Sequence, residues 1–127
     1  MSVWGSGNFD NSYAVDYLVA IVFEIIERIE RCLEQKDSFC RDVYLLTSID
    51  ILTTFAQSYG EDVLIALEEQ PVSQWKEACL QIYDESSSYE TDATFAAERR
   101  QVIVETFKKL EHLIQTWIDK KDTLLNS

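Results

Sequence analysis

Residues that end helices are scarce in this chain. Its 127 residues include one proline, Pro71, and three glycines, Gly5, Gly7 and Gly60. Glycine and proline mark most of the turns that join short strands. Because so few are present, we expect long helices rather than a sheet of many strands. A single domain of this length buries about two thirds of the surface that its unfolded chain exposes, so it needs neither a disulfide nor a metal to fold.

Apolar residues recur every three or four positions over residues 12–35. The stripe consists of Ala14, Leu18, Ile21, Ile25, Ile29 and Leu33, joined by Tyr17, Val22, Ile26 and Cys32. Charged side chains fall mostly on the other side. This spacing predicts an amphipathic helix over 12–35 with a wide apolar face.

Cap and turn residues divide the middle of the chain into further helices. Asp37 or Ser38 is placed to cap a second helix, and Gly60 closes it through a left-handed backbone conformation. The segment EDVLIALEEQ then predicts a short helix that stops before Pro71. Ser73 is the predicted cap of the helix that follows.

The segment DESSSYETD, residues 84–92, interrupts the apolar spacing and predicts an exposed loop. Thr91 or Asp92 then caps a last helix, whose apolar spacing continues to about residue 119. No strand, internal repeat or domain linker is indicated.

The predicted fold is therefore a single all-α domain over residues 1–127, a bundle of four or five helices around one core. A glycine-rich loop at 1–11 caps the first long helix. Residues 120–127 are predicted to form a mobile tail.

The opening stretch WGSGNFDNS combines glycines, aromatic residues and a polar cluster just before the first helix. Asp10 is placed to cap that helix, and Phe9 then packs on Ala14 as a hydrophobic staple. The glycines allow Trp4 to fold back onto the helix surface. The loop motif consists of Trp4, Gly5, Gly7, Phe9, Asp10 and Asn11.

Two functional interpretations compete with a purely structural role for this loop. Phosphate binding is disfavoured, because no strand precedes the glycines and no Lys or Arg occurs before Arg28. The other interpretation is that the exposed loop is a binding surface for a partner.

The same stretch resembles the N-terminal signature of a bacterial family that is catalogued only as a domain of unknown function. Members open with Trp-Gly-x-Gly-x-Phe, then Asp or Glu, Asn, and usually Asp, followed by an Ala and an acidic–aromatic pair. The matching residues are Trp4, Gly5, Gly7, Phe9, Asp10, Asn11, Ala14, Asp16 and Tyr17. Ser12 stands where Asp is usual, and Ser2 stands where Gly is usual.

A weaker similarity to this family continues through LLTSIDILTTFAQSYG, where Asp50 takes the place of a single acidic residue. The resemblance implies a small helical bacterial protein, and it implies no established chemistry. From the residues alone, Asp50 is either an anchor for the opening loop or a solvent-facing carboxylate.

The net charge of −12 is unevenly distributed. Residues 1–92 carry 18 acidic and 5 basic side chains, whereas residues 93–127 carry 5 acidic and 6 basic ones. A surface this negative repels nucleic acid and anionic membranes, so we expect neither as a partner. It attracts a basic protein, although an acidic surface also serves simply to keep a protein soluble.

Acidic residues are densest on the two short helices and the loop that follows them, which predicts one continuous negative face for a basic partner. Its carboxylates are Glu61, Asp62, Glu68, Glu69, Glu77, Asp84, Glu85, Glu90 and Asp92. Affinity also needs apolar anchors near the centre of such a face. The aromatic residues available for this role are Trp75, Tyr83 and Tyr89.

The cysteines and the histidine give little indication of a functional site. Cys32, Cys40 and Cys79 lack metal-ligand spacing, and an odd number of cysteines is typical of free thiols in a reducing compartment. His112 lies among charged residues of an exposed helix face, so it is not a catalytic candidate. We expect no cofactor and no metal. Because no signal peptide or membrane span is indicated, we expect a cytoplasmic protein.

Two classes of function remain. The first is a non-enzymatic acidic interaction protein, such as an inhibitor or immunity-type protein that blocks a basic partner. The second is an enzyme or small-molecule-binding protein with a pocket between its helices.

A homodimer through the last helix is a further expectation. A helix over 93–119 is about 40 Å long, whereas a compact chain of this length has a diameter of about 36 Å. The residues in or past the overhang are Trp117, Ile118, Leu124 and Leu125. A symmetric partner would cover them, and the alternative is a bend that folds the tail back.

Overall fold

Five α-helices make up almost all of the described chain. The computed structural model describes residues 11–35, 44–87 and 93–125. Within these ranges the helices are α1 (Ser12–Gln35), α2 (Leu46–Tyr59), α3 (Glu61–Glu68), α4 (Val72–Ser87) and α5 (Ala93–Leu125). The predicted all-α bundle is confirmed, and α1 has the predicted range.

The bundle is organised around α5. This helix packs on α2, α4 and α3, and α1 packs on α3, α2 and α4. The residues that α5 contributes to the centre of the core are Ile103, Phe107, Leu110 and Ile114. Because they recur every three or four positions, they lie on one side of the helix and are buried together.

The buried residues of α1 all belong to the predicted apolar stripe. They are Leu18, Val22, Ile26, Ile29 and Cys32. Tyr17, which the sequence places beside this stripe, is instead 70% exposed. Val19 and Phe23 lie off the stripe and form a second apolar edge of α1, where Phe23 is exposed to solvent.

The two buried threonines in the described part of the chain form hydrogen bonds within their own helices. The Thr53 hydroxyl donates to the carbonyl of Ile49 at 2.8 Å, and the Thr106 hydroxyl donates to the carbonyl of Val102 at 2.7 Å. Neither bond joins two helices.

Asn11 caps α1. Its side-chain Oδ1 accepts a hydrogen bond from the backbone N–H of Ala14 at 2.8 Å, and its carbonyl accepts the N–H of Val15 at 3.2 Å. The cap therefore lies one residue later than the predicted Asp10. Phe9 and Asp10 lie outside the described residues, so the predicted staple between Phe9 and Ala14 stays a prediction.

Gly60 ends α2 and begins α3, as the sequence predicts. Its φ of 71° is positive as expected, but its ψ of −130° lies outside the left-handed helical region. These angles mirror those of an ordinary extended residue, so they are available to glycine and strained for every L-amino acid. A Cβ placed on Gly60 would meet no atom within 4 Å, so the constraint is conformational and not steric crowding.

Helix α4 begins directly after Pro71 and is longer than expected. The carbonyl of Pro71 accepts the N–H of Trp75 at 3.0 Å. Ser73, the predicted cap, lies within the first turn instead. Residues 84–87 were expected to begin an exposed loop, but they form the last turn of α4.

Helix α5 continues to Leu125, so the prediction of a mobile tail from residue 120 is wrong up to that point. Its 33 residues span about 50 Å at 1.5 Å per residue. Lys121 ties the extension to α3 through a 2.6 Å ion pair with Glu68. Leu124 and Leu125 are 65% and 76% exposed.

Several predicted features lie outside the described residues. They are the opening loop before Asn11, the caps Asp37, Ser38, Thr91 and Asp92, and residues Cys40, Tyr89 and Glu90. These features stay predictions.

Replacing Asn11 by Ala is expected to lower the free energy of unfolding by about 1 kcal/mol, because the side-chain acceptor for the N–H of Ala14 is lost. Asn11→Asp keeps an acceptor and should restore most of the stability. Urea unfolding followed by circular dichroism measures both variants. Equal stability of Asn11→Ala and the original protein would show that the cap contributes nothing.

Replacing Gly60 by Ala is expected to cost about 1–3 kcal/mol, the range for a residue held in a disfavoured backbone conformation. Gly60→Asn should not recover the loss, because Asn tolerates the left-handed helical region and not the angles found here. Thermal unfolding measures both, with the exposed Ser58→Ala in the same helix as the control. Full rescue by Asn would contradict the assigned backbone angles.

Candidate functional site

An open groove runs between α1 and α3. Its volume is about 440 Å³. The α3 side is formed by Asp62, Ile65 and Ala66 of α3 and by Glu69, which directly follows the helix and keeps a right-handed helical backbone. These four residues have the i, i+3, i+4, i+7 spacing of one helix face. Two carboxylates thus stand about 10 Å apart along the helix, with two apolar side chains between them.

The α1 side of the groove comes from the apolar edge that the core leaves uncovered. It is formed by Val15, Asp16, Val19 and Phe23. Phe23 is 48% exposed, and Ile65 opposite is 50% exposed. Half-exposed residues of this size on two adjacent helices make the groove an apolar surface that faces solvent.

The rim of the groove is negatively charged. Asp16 and Asp62 are exposed, and neither forms an ion pair with any residue in the described ranges. Glu69 is also exposed, and its field helps to raise the pKa of Lys121. No Lys or Arg is among the described residues that line the groove. A cation brought to this rim would meet the carboxylates of Asp16 and Asp62, which are unpaired within the described ranges, whereas Glu69 already interacts with Lys121.

The predicted negative face on α3 and α4 is divided. Helix α3 packs on α1, α2 and α5, whereas α4 packs mainly on α5. Arg100 of α5 binds Asp84 with both its Nε, at 3.0 Å, and its second guanidinium nitrogen, at 3.3 Å. Lys121 of α5 binds Glu68. Part of the predicted face is therefore neutralised by α5.

These pairs shift the pKa values of the cations. The hydrogen bond from Lys121 to Glu68 raises the pKa of Lys121, and the bond from Arg100 to Asp84 raises the pKa of Arg100. A raised pKa means that the folded state favours the protonated cation. Each pair is therefore formed at neutral pH, and the contribution of the cation is lost as the pH rises through its folded-state pKa in alkaline solution.

The remaining predicted acids stay at the surface. Glu61, Glu77 and Glu85 are exposed, and Glu85 accepts a hydrogen bond from Gln81 at 3.2 Å. Of the predicted face, Asp62 and Glu69 are the members that border an apolar groove.

The predicted aromatic anchors Trp75 and Tyr83 are wrong. Their exposed fractions are 3% and 6%, and both belong to the core cluster. The Tyr83 hydroxyl donates to the carbonyl of Ala96 at 2.6 Å, which joins α4 to α5. The apolar spacing of α4 directs these side chains inward, so they hold the bundle together and are not accessible to a partner.

A smaller polar cleft of about 250 Å³ lies where α4 begins beside α5. Glu111 is its central residue, with Oε1 2.9 Å from Lys76 Nζ and Oε2 accepting a 3.4 Å bond from Ser73. The ion pair and the long hydrogen bond join α4 to α5, although the buried Oε1 accepts no hydrogen bond of good geometry, so this cleft is a contact between two helices.

Other candidate residues gain no functional neighbours. Asp50 is exposed on α2, in agreement with the solvent-facing interpretation, and His112 is exposed on α5. Cys32 and Cys79 are buried in the core. Within the described ranges, no three His, Cys, Asp or Glu side chains are placed to hold a metal ion.

The groove residues of α1 could have been found from the sequence. Val15, Val19 and Phe23 are apolar but lie off the main buried stripe, and Ile65 has the same relation to the buried Val63 and Leu67 of α3. An apolar residue that lies off the buried stripe of its helix is therefore the sequence pattern that indicates an exposed apolar surface. The sequence could not show that α1 and α3 bring these residues together.

Replacing Tyr83 by Phe is expected to lower the free energy of unfolding by about 1 kcal/mol, because the hydrogen bond to the Ala96 carbonyl is lost while the ring still packs. Tyr17→Phe, at a 70% exposed position, is the matched control and should change little. Urea unfolding compares the two. An equally small effect at both positions would contradict a structural role for the Tyr83 hydroxyl.

No described helix is long and apolar enough to cross a membrane. Comparisons with protein-family models, with curated proteins and with solved structures found no match to this chain. The resemblance of the opening stretch to a bacterial family of unknown function therefore stays a prediction.

Proposed function

We propose that this protein is a non-enzymatic interaction protein, such as an inhibitor or immunity-type protein. Its proposed partner is a basic protein that it blocks. The observation that carries the proposal is the α1–α3 groove, which combines an exposed apolar floor with a carboxylate rim. Charged side chains are usually depleted at the centre of an interface and kept at its rim, and the groove has this arrangement.

The overall charge supports the same partner. The net charge of −12 produces an attractive field for a cationic protein and increases the rate of encounter. The field brings the partner close, and the apolar floor supplies the contact area that holds it. A protein whose acidic surface only maintains solubility has no need to keep Phe23 and Ile65 half exposed beside its carboxylates.

A small-molecule-binding protein or enzyme is the second class considered. The groove volume of about 440 Å³ is large enough for a ligand. However, the groove lies open between two helices, and its carboxylates stand at the rim instead of converging on one point. The geometry supports a macromolecular partner better.

The proposed setting is the bacterial cytoplasm, a reducing compartment that suits a chain with an odd number of cysteines. A homodimer through the end of α5 is a separate proposal, supported by the exposure of Leu124 and Leu125. Light scattering at micromolar concentration tests it, and a monomer mass would rule it out.

Replacing Asp16 by Lys is expected to slow association with the partner and to weaken its salt dependence, because a carboxylate at the groove rim becomes a cation. The partner is first captured from the native host and identified, and stopped-flow mixing or surface binding then measures the rate. We expect that protein to be basic and to be released as salt rises beyond about 0.15 M, where the Debye length is about 8 Å.

Asp50→Lys is the matched control. Asp16 and Asp50 each occupy the fifth position of their helix, both are exposed, and both substitutions change the net charge equally. Asp16→Lys should slow association several-fold more than Asp50→Lys, with similar melting temperatures. An acidic partner, or binding that ignores salt, would overturn the proposed function.

A further inference from the structure

We propose that the α1–α3 groove binds a cationic amphipathic helix of the partner, with two basic residues seven positions apart and apolar residues between them. This inference rests on the proposed function and specifies which part of the partner is recognised. The occupant follows from the chemistry of the two walls.

A helix suits the groove because both of its walls are helices. The backbone groups of α1 and α3 at the groove are already hydrogen-bonded within their own helices, so an extended segment would find no strand edge to pair with. From Val15 to Phe23 the α1 wall is about 12 Å long, which equals about two helical turns. A third helix laid along the groove would pack side chains between the two existing rows.

The positions of the basic residues follow from α3. Asp62 and Glu69 are seven positions apart on one face, and Ile65 and Ala66 lie between them. A helix that lies alongside and complements this pattern carries Lys or Arg at i and i+7 and apolar residues at i+3 and i+4. Asp16 on the opposite wall adds attraction for a further cation.

Charge also argues against a second copy of this chain as the occupant. The groove rim of each copy is acidic, so the rims of two copies repel each other when their grooves face one another. Several cations of the described residues are already paired within the molecule: Arg31 with Glu27, Lys76 with Glu111, Arg100 with Asp84, and Lys121 with Glu68. A separate basic partner matches the rim better.

The test uses the full-length protein and a designed fluorescent peptide of about 18 residues, long enough to hold a helix. The peptide has Lys at i and i+7 around Leu at i+3 and i+4. A second peptide of identical composition has its two Lys moved to i+2 and i+9, on the opposite face. We expect the first peptide to bind about tenfold more tightly in fluorescence anisotropy titrations.

Two substitutions locate the site. Ile65→Ser should weaken binding of the first peptide about tenfold, whereas Ile51→Ser, at a 39% exposed position on α2 outside the groove, should not. Both positions are partly exposed, so both variants should fold.

A charge exchange tests the pairing directly. Asp62→Lys should weaken binding of the Lys peptide, and a peptide with Glu at the facing position should recover it on this variant alone. Recovery of binding requires a folded groove. It therefore shows that Asp62→Lys weakens binding through a lost contact and not through a loss of folding. Equal affinity for both peptide registers, an equal effect of Ile65→Ser and Ile51→Ser, or no recovery would each overturn the inference.

The remaining outcomes are distinguishable. If light scattering shows a dimer that Ile65→Ser dissociates, a second copy occupies the groove and the inference is wrong. If Trp4→Ser in the full chain raises peptide affinity, the opening segment competes for the groove, which supports the groove as a docking site. If a basic partner still binds the Ile65→Ser and Asp16→Lys variants normally, the groove inference fails while the proposed function stands.

Discussion

Burial of the apolar side of α5 is the interaction on which the rest of the structure depends. Phe107, Ile103 and Leu110 are fully buried, and helices α2, α3 and α4 pack on α5. Full burial of an apolar side chain of this size contributes about 1.5–3 kcal/mol. Helix α1 packs on α2, α3 and α4 and leaves the edge with Val19 and Phe23 uncovered. The uncovered edge becomes a wall of the groove, so the candidate site is a consequence of how the core is filled.

Helical spacing predicted much of this arrangement. The range of α1, the turn at Gly60 and the short α3 before Pro71 all follow from the period of the apolar residues and the placement of breakers. The errors have physical reasons. The last turn of α4 contains polar residues that suit a loop, but ion pairing between Asp84 and Arg100 of α5 accompanies its helical form. The prediction of a free tail after residue 119 missed the contact of Lys121 with Glu68.

The candidate site was predicted in part. The density of acidic residues in the sequence located Asp62 and Glu69. It could not show that Glu68 and Asp84 form ion pairs, because their partners, Lys121 and Arg100, are distant in the sequence. The choice of Trp75 and Tyr83 as anchors treated aromatic residues as surface features, although their spacing on α4 is that of core residues. Which carboxylates keep their charge available depends on tertiary contacts, and no local pattern of sequence contains that information.

The self-contained hydrogen bonds of Thr53 and Thr106 have a consequence for how such a protein evolves. Since neither bond links its threonine to another helix, the fit of the apolar residues around them depends on volume and shape, and such residues accept exchanges that conserve volume. Helix α3 turns Val63 and Leu67 inward, whereas the groove residues Asp62, Ile65 and Glu69 are exposed. Mutation can therefore alter the groove while the core stays intact. During evolution, the groove residues of a protein with this fold can change while the fold is kept.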